Sequence, residues 1–270
     1  MEASLPGWAP SGAELMVGGS STDQVISMDE SLHIVHVIQR ERGRTCGWVA
    51  SSGAGTWCER VFESRQTTDE AIEKAAKPLD ADVEERLREV RSTADAAVAS
   101  DPPPNAIALA FYAAFSRYNS LIKEVIDRST NAFHAGEFEI YMAFTRLKEA
   151  TGIERAFLCG ALALPDESIA HLPSRAFADL VIGLQEQRRY KAVVKEAAPP
   201  MLLELIRAGF EYSPALLELQ NRLYDDFDVT TLRRLMSAEQ VAGLLVACRL
   251  PPDGLLLASC WSPAGLLLAS

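Results

Sequence analysis

The stretch LHIVHVIQRERGRTC, residues 32–46, decides the fold. Some of its residues recur at intervals of three or four positions along the chain: Leu32, Val35, Gln39, Arg42 and Cys46. This spacing places them on one face of an α-helix, and its apolar members predict that the face is buried. The helical pattern begins at about residue 23, continues to about residue 50 and ends near the run SSGAG at 51–55.

Helical periodicity continues along most of the chain. Residues 56–66 are predicted to connect the first helix to a second one, for which Thr68 is the expected N-terminal cap. Further helices are predicted at 80–99, 105–133, 137–162, 174–197, 199–208, 214–223 and 229–247. No stretch alternates with period two over a convincing length, so no sheet is predicted. The fold class is therefore all-α, with about eight helices joined by short connections into two packed antiparallel bundles.

The chain divides into three parts by composition. Residues 1–22 are rich in Gly, Ser and Pro and are expected to be a disordered leader. Residues 23–248 form the helical domain. Residues 249–270 are expected to be an irregular apolar tail, in which the octapeptide PDGLLLAS at 252–259 is nearly repeated as PAGLLLAS at 263–270. This repeat is too short to define a repeat architecture.

Charge and cysteine content narrow the class of protein. The formal net charge of -11 argues against a surface for nucleic acid or for an anionic membrane, since both need basic residues. The five cysteines are scattered, without a C-x-x-C pair, which is typical of reduced thiols in a cytoplasmic protein. No run of about 18 apolar residues predicts a membrane helix. His33 and His36 have no third ligand at a suitable spacing, so no metal site is predicted.

The first candidate site is the sequence Gln39-Arg-Glu-Arg-Gly43. Arg42 lies on the face that we expect to be buried, where a guanidinium needs a carboxylate, backbone carbonyls or a bound anion as its partner. Gln39, one turn earlier, could add a neutral donor. Gly43 would allow a neighbouring helix or a ligand to approach closely.

The second candidate site is the sequence Lys148-Glu-Ala-Thr-Gly-Ile-Glu-Arg-Ala156. Lys148, Thr151, Gly152 and Arg155 share one helix face, and Glu154-Arg155 repeats the earlier Glu-Arg pair. Two such pairs, each near a glycine, suggest that two helices meet at an internal polar site. The structural alternative is a salt-bridge network that joins Arg42 to Glu154 and Arg155 to Glu41. Both could hold, with the glutamates orienting the arginines.

These two stretches resemble the signature motifs of the NIT family, the nitrate- and nitrite-sensing domain. The chain is also similar to that family at Tyr118-Asn-Ser-Leu-Ile122 and at Gln185-Glu-Gln followed by Tyr190. The four landmarks occur in the family's order, and the similarity spans about residues 28–245. The resemblance implies two four-helix bundles with nitrate or nitrite bound between them by arginines.

Carried over by position, the resemblance assigns roles to residues of both motifs and of the last helix. The implied ligand-binding residues are Arg42, Arg155, Arg40, Gln39 and Arg233, and the implied supporting residues are Glu41, Glu154, Gly43 and Gly152. Guanidinium suits nitrate because both are planar and weakly hydrated, and it donates two parallel hydrogen bonds. No cofactor is implied.

The leading hypothesis is a non-enzymatic sensor that binds the anion between two bundles and signals by a conformational change. In family relatives the sensor is usually fused to an output module, and none is evident here. Either the effector is a separate protein or this chain has lost its output; a homodimer is also compatible with the sequence. The alternative is a ligand-free helical scaffold for protein interactions, with its arginines satisfied by Glu41, Glu149 and Glu154. An enzyme is disfavoured because no acid–base, nucleophile or metal constellation is present in the sequence.

Overall fold

The computed structural model describes residues 28–75, 79–131, 138–197 and 203, and confirms an all-helical fold there. These residues contain seven helices and no strand: α1 (Met28–Ala50), α2 (Trp57–Lys74), α3 (Ala81–Ala99), α4 (Pro104–Asn131), α5 (Phe138–Ala163), α6 (Asp166–Ile169) and α7 (Ser174–Ala197). The helices predicted at 199–208, 214–223 and 229–247, the leader and the tail lie outside the described residues, except for Leu203.

Helix α2 corrects one sequence prediction. Residues 56–66 were expected to be a connection, but α2 begins at Trp57 and includes them. Its inner face carries Trp57, Val61, Ser64 and Thr68 at helical spacing, all of them buried. Thr68 is not a cap: its Oγ1 donates to the carbonyl of Ser64 at 2.9 Å within the helix. The two hydroxyl residues on the buried face hid the apolar periodicity.

Helices α1 to α4 form an antiparallel up-and-down bundle. The C-terminal end of α1 packs against the start of α2, where the Trp57 ring would lie 2.6 Å from a Cβ placed at Gly47. Ion pairs then join α2 to α3 through Arg65 and Asp95 at 2.8 Å. Near the other end of the bundle, Arg128 of α4 pairs with Asp82 of α3 at 2.5 Å. Short connections between consecutive helices give this topology directly.

Two hydrophobic cores run along this bundle. One contains the C-terminal half of α1, the start of α4 and the aromatic side chains of Phe111, Phe115 and Phe157. The other contains the N-terminal half of α1, most of α3 and the C-terminal half of α4, with Ile38 and Tyr118 at its centre. Leu109 of α4 is 52% exposed, so it lies on the outer face of that helix.

Helix α5 lies on α1 and α4 and continues the fold into a second group of helices. The Phe157 ring of α5 packs edge-on against Phe177 of α7, with ring centroids 5.9 Å apart. Close packing on α4 depends on Gly160, since a Cβ there would be 1.9 Å from the Phe111 ring. Helices α5 and α7 are antiparallel, while α5 runs parallel to α1. The contact between α1 and α5 joins the first bundle to this second group.

None of the described helices combines the length and the apolar character that crossing a membrane requires.

Candidate functional site

The α1–α5 contact brings Gln39, Arg42 and Gly152 together, three of the residues singled out in the sequence. The Arg42 side chain is 0% exposed and pairs with Glu149 of α5, Nη1 to Oε1, at 2.5 Å. Its Nη1 also donates to Oδ1 of Asn119 on α4 at 2.8 Å. Arg42 therefore connects three helices, and its charge is already balanced by a carboxylate.

The same carboxylate holds Gln39, whose Nε2 donates to Oε2 of Glu149 at 2.6 Å. A second, longer bond runs from Nη2 of Arg42 to that oxygen at 3.4 Å. Two buried atoms in the cluster have no hydrogen-bond partner among the described residues: Nε of Arg42 and Oε1 of Gln39. The hydrogen-bonding capacity of this pair of side chains is not used up by Glu149.

Gly152 is needed for this arrangement. A Cβ at position 152 would lie 2.5 Å from Nη2 of Arg42, well inside van der Waals contact. The missing side chain lets a buried guanidinium lie against the backbone of α5. No described atom lies within 4 Å of a Cβ placed at Gly43, so no described helix makes the close approach expected there, and the expected approach of a ligand stays a prediction. The helix α5 approaches Arg42 and Gln39, one residue to the side of Gly43.

Three cationic side chains lie near His36 at the same contact and are here called the cationic cluster: Arg40, Lys148 and Arg155. Lys148 is only 9% exposed, and its Nζ forms no hydrogen bond or ion pair within the described parts of the chain. Burial lowers the pKa of Lys148 to about 8, with a further contribution from the charge of Arg155 and an opposing one from Glu149. A partly uncompensated positive charge is therefore held inside this contact.

The same charges also lower the pKa of His36. The positive charge of Lys148 is the largest cause that lowers the His36 pKa to about 3, followed by desolvation of the ring and the charges of Arg155, Arg40 and His33. The imidazole is consequently neutral at physiological pH. In a chain of formal net charge -11, this concentration of positive charge is a local feature of the α1–α5 contact.

Glu41 and Glu154, predicted to orient the arginines, have other partners. Glu41 is 0% exposed and receives two hydrogen bonds from Arg91 of α3, both of 2.8 Å. Tyr118 donates a third to Glu41, at 2.7 Å. Glu154 accepts from Nε2 of Gln187 on α7 at 3.2 Å. The salt-bridge network that joined Arg42 to Glu154 and Arg155 to Glu41 was therefore wrong in its partners.

The structure adds residues whose roles the sequence did not reveal. Glu149 was considered only as a possible counter-ion of a ligand-free scaffold, and Asn119 only as part of the landmark at residues 118–122. Gln187 lies in the fourth landmark of the resemblance, and its Nε2 also donates to Oγ1 of Thr151 at 2.9 Å. Arg91 had no sequence signal beyond its place in an amphipathic helix. Arg233 lies outside the described residues, so its role stays a prediction.

The described residues contain no group of three or more His, Cys, Asp or Glu side chains that could hold a metal ion.

The fold and the site together define a class of protein: an all-helical bundle in which basic side chains concentrate at one contact between two helices. A model of the NIT family, described as nitrate and nitrite sensing, matches residues 33–240. The match covers more than half of the chain, and the protein belongs to this family. The solved structure of the NasR transcription antiterminator is similar, with a TM-score of 0.50 and 18% sequence identity over 88% of this chain and 70% of that one. This likeness shows a common fold. No curated protein matches the chain.

Proposed function

We propose that this protein is a non-enzymatic sensor that binds nitrate or nitrite at the α1–α5 contact and signals to an effector through a change in helix packing. Membership of the NIT family supports the ligand class. The structural support is the cationic cluster, in which Lys148 is buried next to Arg155 and its pKa is lowered to about 8. A bound anion would relieve the repulsion between these charges.

The two sides of the contact have different roles in this proposal. Lys148 and Arg155 of α5, with Arg40 of α1, supply the positive charge of the outer side, and Glu149 interacts favourably with Lys148 there. Arg42 and Gln39 form the inner side, where a planar anion could accept two parallel hydrogen bonds from the guanidinium. Arg233, outside the described residues, is the proposed contribution of the last helix.

Signalling follows from where the contact lies. Helix α1 belongs to the first bundle, whereas α5 packs on α7 in the second group of helices. An anion that neutralises charge between α1 and α5 favours a packing in which the two approach more closely, and its differential affinity for that packing sets the size of the shift. In this proposal the site binds nitrate or nitrite and releases it unchanged.

The ligand-free scaffold is the second candidate, and one observation favours it. The Arg42–Glu149 pair at 2.5 Å satisfies the most deeply buried guanidinium without any ligand, as a purely structural ion pair would. The cationic cluster weighs against the scaffold, because a contact that serves only to hold two helices together gains nothing from a buried Lys148 beside Arg155.

Thermal melting of the full chain in a nitrate series tests the proposal, with nitrite in parallel and chloride and sulfate at matched ionic strength. At a concentration 100 times the dissociation constant, selective binding stabilises the fold by about 2.7 kcal/mol. For a chain of this size that is a rise in Tm of roughly 5–10 °C.

The variant Arg155→Ala tests whether the nitrate-specific shift depends on the site. Arg175→Ala, at the exposed start of α7, is the matched control for the loss of one arginine. We expect Arg155→Ala to lose most of the nitrate-specific shift and Arg175→Ala to keep it. Equal shifts with all four salts, or none, would refute the sensor and favour the scaffold.

A further inference from the structure

The carboxylate of Glu149 occupies the place that an oxyanion would take on Arg42. Carboxylate and nitrate both present two coplanar oxygens to a guanidinium fork. The two hydrogen bonds that Arg42 donates to Glu149 differ in length: the bond from Nη1 is 2.5 Å long and the bond from Nη2 is 3.4 Å long. The fork is thus filled by the protein's own carboxylate.

Resting on the proposed function, we propose that Glu149 is an internal competitor of the bound anion: nitrate or nitrite displaces its carboxylate from Arg42, and this exchange sets the affinity of the site. Two anions cannot share one buried guanidinium without strong repulsion, because the charges lie within a few ångströms of each other in a medium of low polarity. Entry of a ligand at Arg42 therefore requires Glu149 to leave.

The surroundings of Glu149 allow it to leave. Gln39 holds Oε2 at 2.6 Å independently of Arg42, so the carboxylate keeps a donor after the exchange. Lys148 is next in the chain, and its charge already interacts favourably with Glu149. On the other side, Nε of Arg42 is a buried donor without a described partner. An incoming anion could therefore gain a hydrogen bond that Glu149 does not make.

The exchange also links binding to helix packing. Glu149 and Gly152 are the points where α5 touches Arg42, and the guanidinium is fixed on α4 by Asn119 at 2.8 Å. Moving the carboxylate away from Arg42 removes the direct ionic contact between α1 and α5. The anion then becomes the bridge, so the strength of the α1–α5 contact depends on whether ligand is present.

Calorimetric titration of the full chain with sodium nitrate tests this competitor role. Glu149→Gln keeps the shape of the side chain and an oxygen that can accept the hydrogen bond from Gln39, but it removes the negative charge. We expect Glu149→Gln to bind nitrate at least about tenfold more tightly than the wild type. Glu85→Gln removes the same charge from an exposed position on α3 and is expected to bind as the wild type does.

A second variant covers the case in which Glu149→Gln does not fold. Glu149→Asp keeps the charge but withdraws the carboxylate from Arg42 by one methylene, and is expected to bind nitrate severalfold more tightly. In an Arg42→Gln background the gain from Glu149→Gln should disappear, because the competition takes place at Arg42.

The outcomes separate the two proposals. Wild-type binding that is unchanged or weakened by both Glu149 variants overturns the competitor role and leaves the sensor intact. Binding by Glu149→Gln alone supports a competitor that closes the wild-type site at the concentrations used. No binding of nitrate or nitrite by any variant overturns the sensor itself, and the competitor with it.

Discussion

At the scale of single residues, the tightest steric requirement of the site is at position 152. Gly152→Ala would place its Cβ 2.5 Å from Nη2 of Arg42. The guanidinium cannot easily yield, since it is buried and held by Glu149 and Asn119. We expect Gly152→Ala to lower the free energy of unfolding by roughly 1–3 kcal/mol, as overpacking of a core does, when measured by urea denaturation.

Gly43→Ala is the matched control, because it makes the same chemical change in α1, on the neighbouring helix of the same contact. A Cβ at Gly43 meets no described atom within 4 Å. Alanine is the better helix former by about 1 kcal/mol, so Gly43→Ala should be neutral or stabilising. Equal destabilisation by both substitutions would show that the close approach at Gly152 is not what requires glycine there.

Lys148 gives the site a pH dependence whose sign can be derived. Its pKa is about 8 in the folded protein, below the ordinary value of 10.5. Folding therefore carries the full cost of the buried charge below pH 8, and the cost is relieved as the pH rises from about 8 to 10.5. A bound anion offsets this cost only while Lys148 is charged. We expect the nitrate-specific rise in Tm to be larger at pH 6.5 than at pH 9.5.

Lys148→Met provides the control for this pH effect, since it keeps the length of the side chain without the charge. The variant should melt higher than the wild type in the absence of nitrate at pH 7, by the equivalent of about 3 kcal/mol, and should bind nitrate more weakly. Its nitrate-dependent shift should change little between the two pH values. A pH dependence that survives in Lys148→Met would assign the titration to another group.

The sequence predicted the burial of Arg42 but not its partner. Burial follows from the helical spacing of Val35, Gln39, Arg42 and Cys46, a local property of the chain. The choice between Glu149 and Glu154 depends on how α5 is rotated about its axis, because these two residues point about 140° apart on a helix. That rotation is set by packing on α4 and α7, which no local pattern records.

At the scale of helices, a buried carboxylate fixes α1 to its neighbours. Glu41 is 0% exposed and is held by Arg91 of α3 and Tyr118 of α4. The buried negative charge raises the pKa of Tyr118, together with the larger effect of burial. Glu41 and Arg42 are adjacent on α1. Through these two residues, a single turn of α1 is bonded to α3 and α4 on one side and to α5 on the other.

Removing Arg91 leaves Glu41 as a buried charge with only a neutral donor. We expect Arg91→Ala to destabilise the fold by roughly 3 kcal/mol, the usual effect of breaking a buried ion pair from one side, in urea denaturation followed by circular dichroism. Arg88→Ala is the control on the same helix, since Arg88 pairs with Glu85 at the exposed surface. If Arg91→Ala were as stable as Arg88→Ala, the Glu41 pair would not hold the bundle together.

Helix boundaries were predictable where prolines and glycines end the apolar pattern, as at the Pro-rich start of α4 and the turn after Ala50. The start of α2 was not, because Ser64 and Thr68 occupy its buried face and interrupt the apolar spacing. Their hydroxyls are satisfied by backbone carbonyls within the helix. When the side chain of a polar residue donates its hydrogen bond to a carbonyl of the same helix, the sequence does not show that the residue is buried.

At the scale of the whole molecule, the site lies where the first bundle meets α5 and α7. The core around Ile38 and Tyr118 lies within the bundle of α1 to α4, whereas the core around Phe111 and Phe157 is shared with α5 and α7. In the polar part of the α1–α5 contact, Arg42, Gln39 and Glu149 join the two helices. In the proposed sensor, an anion at this contact reorganises one interface and leaves the inside of the first bundle unchanged. The molecule should therefore respond to nitrate unevenly along its chain.

Hydrogen exchange followed by mass spectrometry measures this uneven response. With nitrate in place of chloride at the same ionic strength, we expect amides of α1 and α5 to exchange more slowly, because ligand binding raises the free energy of opening these helices. Amides of α2 and α3, which do not touch the site, should change little by comparison. Arg155→Ala should abolish the difference between the two salts. Equal protection of all four helices would instead indicate a general stabilisation by the salt, and the α1–α5 contact would lose its assigned role as the signalling interface.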